Sequence, residues 1–161
     1  MKLYELKQTQ FISTSIDEAW KFFSNPKNLD TITPDFLKFK ITSDTEGKMY
    51  EGQIITYDIE VLPYIHQTWV TEIKAVKHQK LFVDEQRFGP YKMWHHKHIF
   101  EEVKGGVKIM DIVHYVMPFG ILGRIAHALF VRKRLHKIFT YRYNWLEEFY
   151  NTKKLKNEDK K

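Results

Sequence analysis

The chain has 161 residues, no cysteine, an aromatic content of 16 % and a formal net charge of +6. The lack of cysteine excludes a disulfide framework and thiolate catalysis, and no apolar run approaches the roughly 20 residues that cross a bilayer. The first residues lack the apolar core of a signal peptide, so we expect one cytoplasmic domain over residues 1–150. Residues 151–161 include five lysines and are expected to form a basic, disordered tail.

The first half of the chain predicts one strand, two short helices and then a series of strands. A strand is expected over residues 2–12, followed by a capping box in which Ser15 is the N-cap and Glu18 stands three residues later. Asn25 and Pro26 predict the start of the second short helix. Apolar and β-branched residues in alternation then predict strands over residues 36–42, 52–61, 64–76 and 80–88.

Residues 89–115 predict a β-hairpin joined at Gly105-Gly106, with its two-residue turn at either Lys104-Gly105 or Gly105-Gly106, because such glycines suit tight turns with positive φ. Side chains on a strand alternate between its two faces. A two-residue turn therefore places five residues of the hairpin on one side of the sheet: Trp94, His96, His98, Asp111 and Tyr115. Aromatic, imidazole and carboxylate groups together are unusual for a solid core, so this face predicts a lined cavity.

A long amphipathic helix is predicted over residues 123–150. Its apolar stripe contains one polar residue, Arg142, and comprises Ala128, Val131, Leu135, Ile138, Arg142, Trp145 and Phe149, flanked by Leu129, Phe139 and Leu146. Consecutive strands favour an antiparallel sheet. We therefore expect an α+β fold in which a curved antiparallel sheet of six to seven strands wraps around the long C-terminal helix and leaves a cavity between them.

The element order and three segments resemble the SRPBCC superfamily, also called START-like or helix-grip proteins. The segments are residues 25–34, residues 89–100 and residues 138–142, and the last resembles the bacterial ligand-binding branch. The resemblance covers about residues 3–150. It implies a helix-grip fold and a hydrophobic ligand cavity. It does not specify an activity, because the superfamily includes binders, lipid carriers, polyketide cyclases and hydrolases on one scaffold.

His96, His98 and Asp111 allow three interpretations. Two histidines at i and i+2 share a strand face about 7 Å apart, and a facing carboxylate could complete a metal site. They could also form a hydrogen-bonded cluster in which Asp111 fixes one imidazole tautomer, or a set that orients a ligand and transfers protons. We expect no metal and no cofactor, because the resemblance is not to a metal-binding family.

Trp69, Trp94 and Tyr115 could stack on a ligand or fill the core. Arg142 is expected either to pair with a buried carboxylate such as Asp111 or to bind an anionic ligand group, unless it reaches solvent. The predicted ligand-binding residues are therefore Trp69, Trp94, His96, His98, Asp111, Tyr115 and Arg142.

Residues 119–137, which begin at Phe119 and end at Lys137, are apolar on nearly every helical face and then become basic. This segment could form a gate at the cavity mouth, contact an anionic membrane peripherally, or be buried under loops. The basic residues match no nucleic-acid-binding motif, so no nucleic-acid partner is expected.

The sequence predicts binding of a small hydrophobic or amphipathic ligand, such as a lipid, isoprenoid, polyketide or aromatic compound. One alternative is a cyclase, dehydratase or hydrolase that uses His96 or His98 as general base, Asp111 to orient it and Arg142 as the partner of an oxyanion or carboxylate. A second alternative is a membrane-surface or protein-interaction module that uses residues 119–137.

Overall fold

The computed structural model describes residues 1–45 and 47–152, so the predicted tail lies outside the described residues from residue 153 onward. The described residues form seven strands and three α-helices. The strands are β1 (Leu3–Ile12), β2 (Lys40–Ile41), β3 (Ile54–Leu62), β4 (Ile65–Lys77), β5 (Leu81–Phe88), β6 (Met93–Val103) and β7 (Gly106–Val116). The helices are α1 (Ile16–Phe23), α2 (Gly120–Ala126) and α3 (Arg132–Leu146). The described residues also form two short 3-10 turns, at Pro26–Leu29 and Asp35–Leu37, and two wider π turns, at His127–Val131 and Glu147–Thr152.

All seven strands belong to one antiparallel sheet in the order β1-β7-β6-β5-β4-β3-β2. Consecutive strands from β2 to β7 are neighbours, and β1 joins the sheet beside β7. The sheet curves around the C-terminal helix, which confirms the predicted helix-grip arrangement.

The hairpin of β6 and β7 closes at Lys104 and Gly105, one of the two turn positions that the sequence allows. Trp94 pairs with Tyr115 and His98 pairs with Asp111. Gly105 has φ of 87° in the turn, a conformation that side chains with a Cβ rarely adopt. Gly106 is required for a different reason, since a Cβ there would overlap the carbonyl oxygen of Ile12 on β1. The turn therefore fixes which residues face the inside of the sheet.

The two predicted short helices follow β1. Ser15 caps α1 by accepting a hydrogen bond from Glu18 N at 3.2 Å, as predicted. The second is a single 3-10 turn, Pro26–Leu29, capped by Asn25. Trp20 of α1 packs against Phe100 of β6 with ring centroids 5.5 Å apart, so α1 closes one end of the sheet.

The strand predicted over residues 36–42 is largely absent. Asp35–Leu37 is a 3-10 turn after Pro34, and Lys38 has a left-handed φ of 44°. A left-handed residue reverses the local direction of the chain. Only Lys40–Ile41 therefore pairs with the sheet, opposite Asp58 and Tyr57 of β3.

The C-terminal helical segment starts at residue 120, three residues before the predicted start, and continues to residue 152 through two π turns. The buried residues of α3 are the apolar Leu135, Phe139 and Leu146 and the charged Arg142. Within the predicted stripe, Ala128 and Phe149 are exposed, and the flanking Leu129 is exposed as well. Ala128 and Leu129 lie in the π turn at His127–Val131, and Phe149 lies in the π turn at Glu147–Thr152. These wider turns shift the buried face relative to a regular 3.6-residue repeat.

Candidate functional site

A cavity of about 720 Å³ lies between the sheet and the C-terminal helices. Its walls are mainly apolar and come from β3 to β6, α2 and α3; they include Ile55, Ile59, Trp69, Trp94, Leu135 and Phe139. The cavity also touches Phe119, Leu122 and Phe130, which are all exposed to solvent. The cavity therefore reaches the surface beside α2.

Four titratable side chains meet in the wall of this cavity. His96 and His98 share the inner face of β6, Asp111 reaches them from β7, and Asp84 reaches them from β5, opposite His96. Asp111 Oδ1 lies 3.0 Å from His96 Nε2 and 2.9 Å from His98 Nδ1. Asp84 Oδ2 lies 2.9 Å from His98 Nε2 and 3.5 Å from His96 Nδ1. Each imidazole thus stands between two carboxylates.

The contact of His98 Nδ1 with Asp111 differs from the other short contacts. The two atoms are close enough for an ion pair, but the oxygen does not lie in the hydrogen-bonding direction of the ring nitrogen. His98 Nε2 and Asp84, by contrast, form a hydrogen bond, as do His96 Nε2 and Asp111. The attraction between His98 and Asp111 is therefore electrostatic.

Burial and neighbouring charges shift the pKa values of this cluster, and they act in opposite directions on Asp111, Asp84 and His98. Burial would raise the pKa of Asp111, but the hydrogen bond with His96 and the adjacent His98 hold that pKa well below its ordinary range. Burial would also raise the pKa of Asp84, but His96, His98 and Arg142 lower it. Burial would lower the pKa of His98, yet both carboxylates outweigh it and raise that pKa. Burial and the neighbouring His98 lower the pKa of His96.

Arg142 enters the same site from α3. The side chain is buried, and Nη1 lies 3.9 Å from Asp111 Oδ1, so the predicted pairing with Asp111 is present as a long ion pair. Its guanidinium carbon lies 5.2 Å from the centroid of Phe139. Two ionised carboxylates, the Arg142 guanidinium and a protonated His98 balance one another when His96 is neutral, so the cluster has no net charge in that state.

Aromatic rings form the wall next to the histidines. Trp69 of β4 and Trp94 of β6 meet edge to face at 5.3 Å, and Tyr91 lies 4.9 Å from Trp94. The indole Nε1 of Trp69 is buried and finds no hydrogen-bond partner among the described residues. Two nitrogens of Arg142, Nε and Nη1, are also buried without one. Both residues line the cavity, so three unsatisfied donor nitrogens belong to side chains of its wall.

Five of the seven predicted site residues line the cavity: Trp69, Trp94, His96, His98 and Arg142. Asp111 contacts the histidines but does not itself line the cavity. Asp84 and Tyr91 line it and were not predicted. The signal for Asp84 was its position two residues after Phe82 on the inner face of β5. Tyr91 falls within the predicted hairpin segment but precedes β6, which begins at Met93.

Tyr115 lines a separate recess between β1, β7 and the C-terminal helices, although its ring also packs against Trp94. The Tyr115 hydroxyl lies 2.8 Å from His127 Nε2, and Tyr4 stacks on His127 at 3.7 Å. Burial, and then the charges of Arg132 and Lys2, lower the pKa of His127. This recess is distinct from the cluster around Asp84 and Asp111.

Comparison with known proteins identifies the fold. No family model and no curated protein matches the sequence. Protein CV1439 from Chromobacterium violaceum superposes with a TM-score of 0.68 at 9 % identity, over 91 % of this chain and 97 % of that one. Norcoclaurine synthase from Thalictrum superposes with a TM-score of 0.62 at 14 % identity, over 91 % and 96 %. The chain has the START-like helix-grip fold.

A third helix-grip match is the aromatase/cyclase StfQ of the steffimycin biosynthetic pathway. It superposes with a TM-score of 0.70 at 11 % identity over 94 % of this chain. The match covers 51 % of StfQ, which has two domains. At these identities the likeness establishes the fold, and the residues of the cavity must carry any argument about function.

Proposed function

We propose that the protein binds one small amphipathic molecule, with its apolar body in the cavity and a hydrogen-bond acceptor at Arg142. The observation that carries this proposal is the set of unsatisfied donors, Trp69 Nε1 and Arg142 Nε and Nη1, in the wall of a largely apolar cavity. An unsatisfied buried donor costs about 1–3 kcal/mol. A ligand carbonyl, phenol or carboxylate would satisfy these groups and recover that cost.

The fold is compatible with this proposal. Norcoclaurine synthase was solved with a transition-state analogue, and StfQ is an aromatase/cyclase, so helix-grip proteins include some that act on small molecules. The wall of Trp69, Trp94 and Tyr91 offers the aromatic faces on which a flat ligand stacks. Isoprenoids, lipids and polyketides that end in a hydrogen-bond acceptor also combine an apolar body with a group that Arg142 can bind.

The test is displacement of a dansyl-labelled fatty acid by three ligands with the same alkyl chain: laurate, lauryl alcohol and lauryl trimethylammonium. We expect laurate to bind at least about tenfold more tightly than the ammonium compound, a difference of roughly 1.4 kcal/mol. Arg142→Met should remove the preference. Arg124→Met, which removes an exposed arginine of α2, should retain it. Equal displacement by all three ligands in the wild-type protein would contradict an acceptor site at Arg142.

A catalytic form of this proposal uses the same cavity. His96 and His98 line it, with Asp111 behind them, so whichever imidazole is neutral could take a proton from a ligand bound at Arg142. Catalysis predicts that the mass of a bound polyketide-like ligand changes with time and that His98→Ala abolishes the change while binding survives. A ligand that is released unchanged from the wild-type protein supports the binding role alone.

A second candidate function is docking on an anionic membrane, and a specific surface favours it. We call Phe119, Ile121, Leu122, Ile125 and Leu129 the apolar mouth surface. Phe119 is 82 % exposed and Leu122 is 72 % exposed, and both line the cavity opening. Arg124, Arg132 and Lys133 are exposed on the same helical segment. Apolar side chains beside basic ones favour the interface of a membrane that contains anionic lipid.

This second candidate predicts that the protein sediments with phosphatidylcholine–phosphatidylserine vesicles and less with vesicles of phosphatidylcholine alone. Ile121→Ser combined with Leu122→Ser should abolish sedimentation. Ile54→Ser is the matched control, because Ile54 is also exposed but lies at the other end of the sheet from α2, at the start of β3. Undiminished sedimentation of the double variant would exclude the apolar mouth surface as the docking site. No helix among the described residues is long and apolar enough to cross a bilayer.

A further inference from the structure

We propose that Asp84, His96 and His98 bind a divalent transition-metal cation such as Zn²⁺. One potential ligand atom from each of the three residues lies within 4.8 Å of the other two, and the ring nitrogens closest to Asp84 are Nε2 of His98 and Nδ1 of His96. Asp84 Oδ2 is 2.9 Å from His98 Nε2 and 3.5 Å from His96 Nδ1. A tetrahedral zinc ion about 2.1 Å from each ligand holds the ligand atoms roughly 3.4 Å apart. The two separations from Asp84 are therefore close to the spacing that the cation requires, and the ligand atoms of the two histidines lie within 4.8 Å of each other.

An independent observation concerns the hydrogen bonds of His96. Its Nε2 lies 3.0 Å from Asp111 and its Nδ1 lies 3.5 Å from Asp84, and the ring is buried. A neutral imidazole has one N–H donor and one lone pair. When Nε2–H donates to Asp111, the lone pair of Nδ1 points toward a carboxylate that also has only lone pairs to offer. A cation between Nδ1 and Asp84 converts this repulsion into two ligand bonds.

Asp111 supplies the outer support that a metal-bound histidine normally has. Ligating histidines usually donate their second ring N–H to a carboxylate, which fixes the tautomer and orients the ring. Asp111 Oδ1 is hydrogen-bonded to Nε2 of His96 and lies 2.9 Å from Nδ1 of His98, outside the hydrogen-bonding direction of that nitrogen. The nitrogens that remain, Nδ1 of His96 and Nε2 of His98, are the two closest to Asp84. Asp111 thus lies on the side of the rings away from the proposed metal, and Asp84 lies next to the two nitrogens that would bind it.

The position of this site distinguishes it from the other histidine–carboxylate pairs of the chain. His95 pairs with Glu85, His114 with Glu5 and His66 with Asp58. In each of these pairs, about one third or more of at least one side chain is exposed to solvent. His96 and His98 are 6 % and 8 % exposed, and both line the cavity together with Asp84. Three protein ligands leave the fourth position of a tetrahedral ion open, and here it would face the cavity.

The sequence paired the two histidines with Asp111 and predicted no metal. The structure adds Asp84, whose carboxylate approaches from β5 on the other side of the rings. The chemical competitor of the cation is the proton on His98, which would link the ring to Asp84 in the metal-free protein. Metal binding must displace that proton.

The test is titration of metal-stripped full-length protein with Co²⁺, followed by its visible absorption, and competition by Zn²⁺. We expect one tightly held ion per chain and displacement of cobalt by zinc. Asp84→Asn and His98→Ala should abolish the cobalt spectrum, and Asp111→Asn should weaken binding by about 10- to 100-fold. His95→Ala is the matched control, because it removes the neighbouring histidine on the opposite face of β6. Absence of a saturable spectrum, or a spectrum that survives Asp84→Asn, would overturn the proposal.

A measurement on the wild-type protein covers the case in which a variant does not fold. Nitrogen-15 spectra of the imidazoles should show Zn²⁺ bound at Nδ1 of His96 and at Nε2 of His98, with protons retained on the other two nitrogens. Spectra in which His98 keeps protons on both nitrogens in the presence of Zn²⁺ would show that a proton occupies the site. That result would overturn the metal site without affecting the proposal that the cavity binds an amphipathic ligand.

Discussion

Asp84 and His98 form a buried pair across β5 and β6, with Asp84 Oδ2 2.9 Å from His98 Nε2. The adjacent residues on the outer face of the same strands, Glu85 and His95, form a similar pair at 2.8 Å. The two pairs differ in exposure: Asp84 and His98 are 16 % and 8 % exposed, whereas Glu85 and His95 are 33 % and 27 % exposed. Removal of one partner from a buried ion pair leaves a buried charge uncompensated, whereas exposed pairs are screened by water.

The first prediction compares these two pairs. In metal-free protein, Asp84→Asn should lower the free energy of unfolding by about 3 kcal/mol. Glu85→Gln should change it by less than about 1 kcal/mol. Urea denaturation of the two variants provides the comparison. Equal losses would mean that the inner cluster is as well solvated as the outer surface.

The second prediction concerns cavity volume. Ala126 touches the cavity, whereas Ala128 lies two residues later and is exposed. Ala126→Phe should fill part of the cavity and weaken binding of the dansyl-labelled fatty acid by about tenfold or more, equivalent to roughly 1.4 kcal/mol. Ala128→Phe adds the same side chain outside the cavity and should leave the affinity unchanged. Equal affinities for both variants would place the bound probe elsewhere.

The third prediction is a pH dependence that arises from His127. Burial, Arg132 and Lys2 lower the pKa of this histidine in the folded protein, and Tyr4 and Tyr115 contact its ring. The unfolded chain therefore binds more protons, so stability rises with pH and is lost as the pH falls through the ordinary histidine value of about 6.5. His127→Gln keeps a neutral polar side chain and should lose less stability between about pH 7 and pH 5. Parallel stability profiles for the two proteins would contradict a lowered pKa at this site.

Sequence patterns were sufficient to predict which residues lie on the inner face of the β6–β7 hairpin. The two-residue alternation places His98 and Asp111 on one face, as predicted, and the turn at Lys104–Gly105 sets them opposite each other. Local reasoning works here because the two strands are joined by a tight turn, so the register follows from the turn itself.

The position of Asp84 beside the two histidines could not be predicted in the same way. A four-residue connection with positive φ at Gly89 separates β5 from β6, and no tight turn fixes their register. The alignment of Asp84 with His96 depends on the assembled sheet. The C-terminal helix shows a similar limit, because the π turn at His127–Val131 alters a repeat that the sequence presents as regular.

The central claim is that the cavity binds a small organic molecule, and native mass spectrometry of protein purified from its own cells tests it most directly. We predict that the wild-type protein retains the mass of one small molecule, that organic solvent releases it, and that Ala126→Phe purified in the same way lacks it. The claim would be contradicted if both proteins showed only the mass of the chain and the wild-type protein also failed to bind the dansyl-labelled fatty acid.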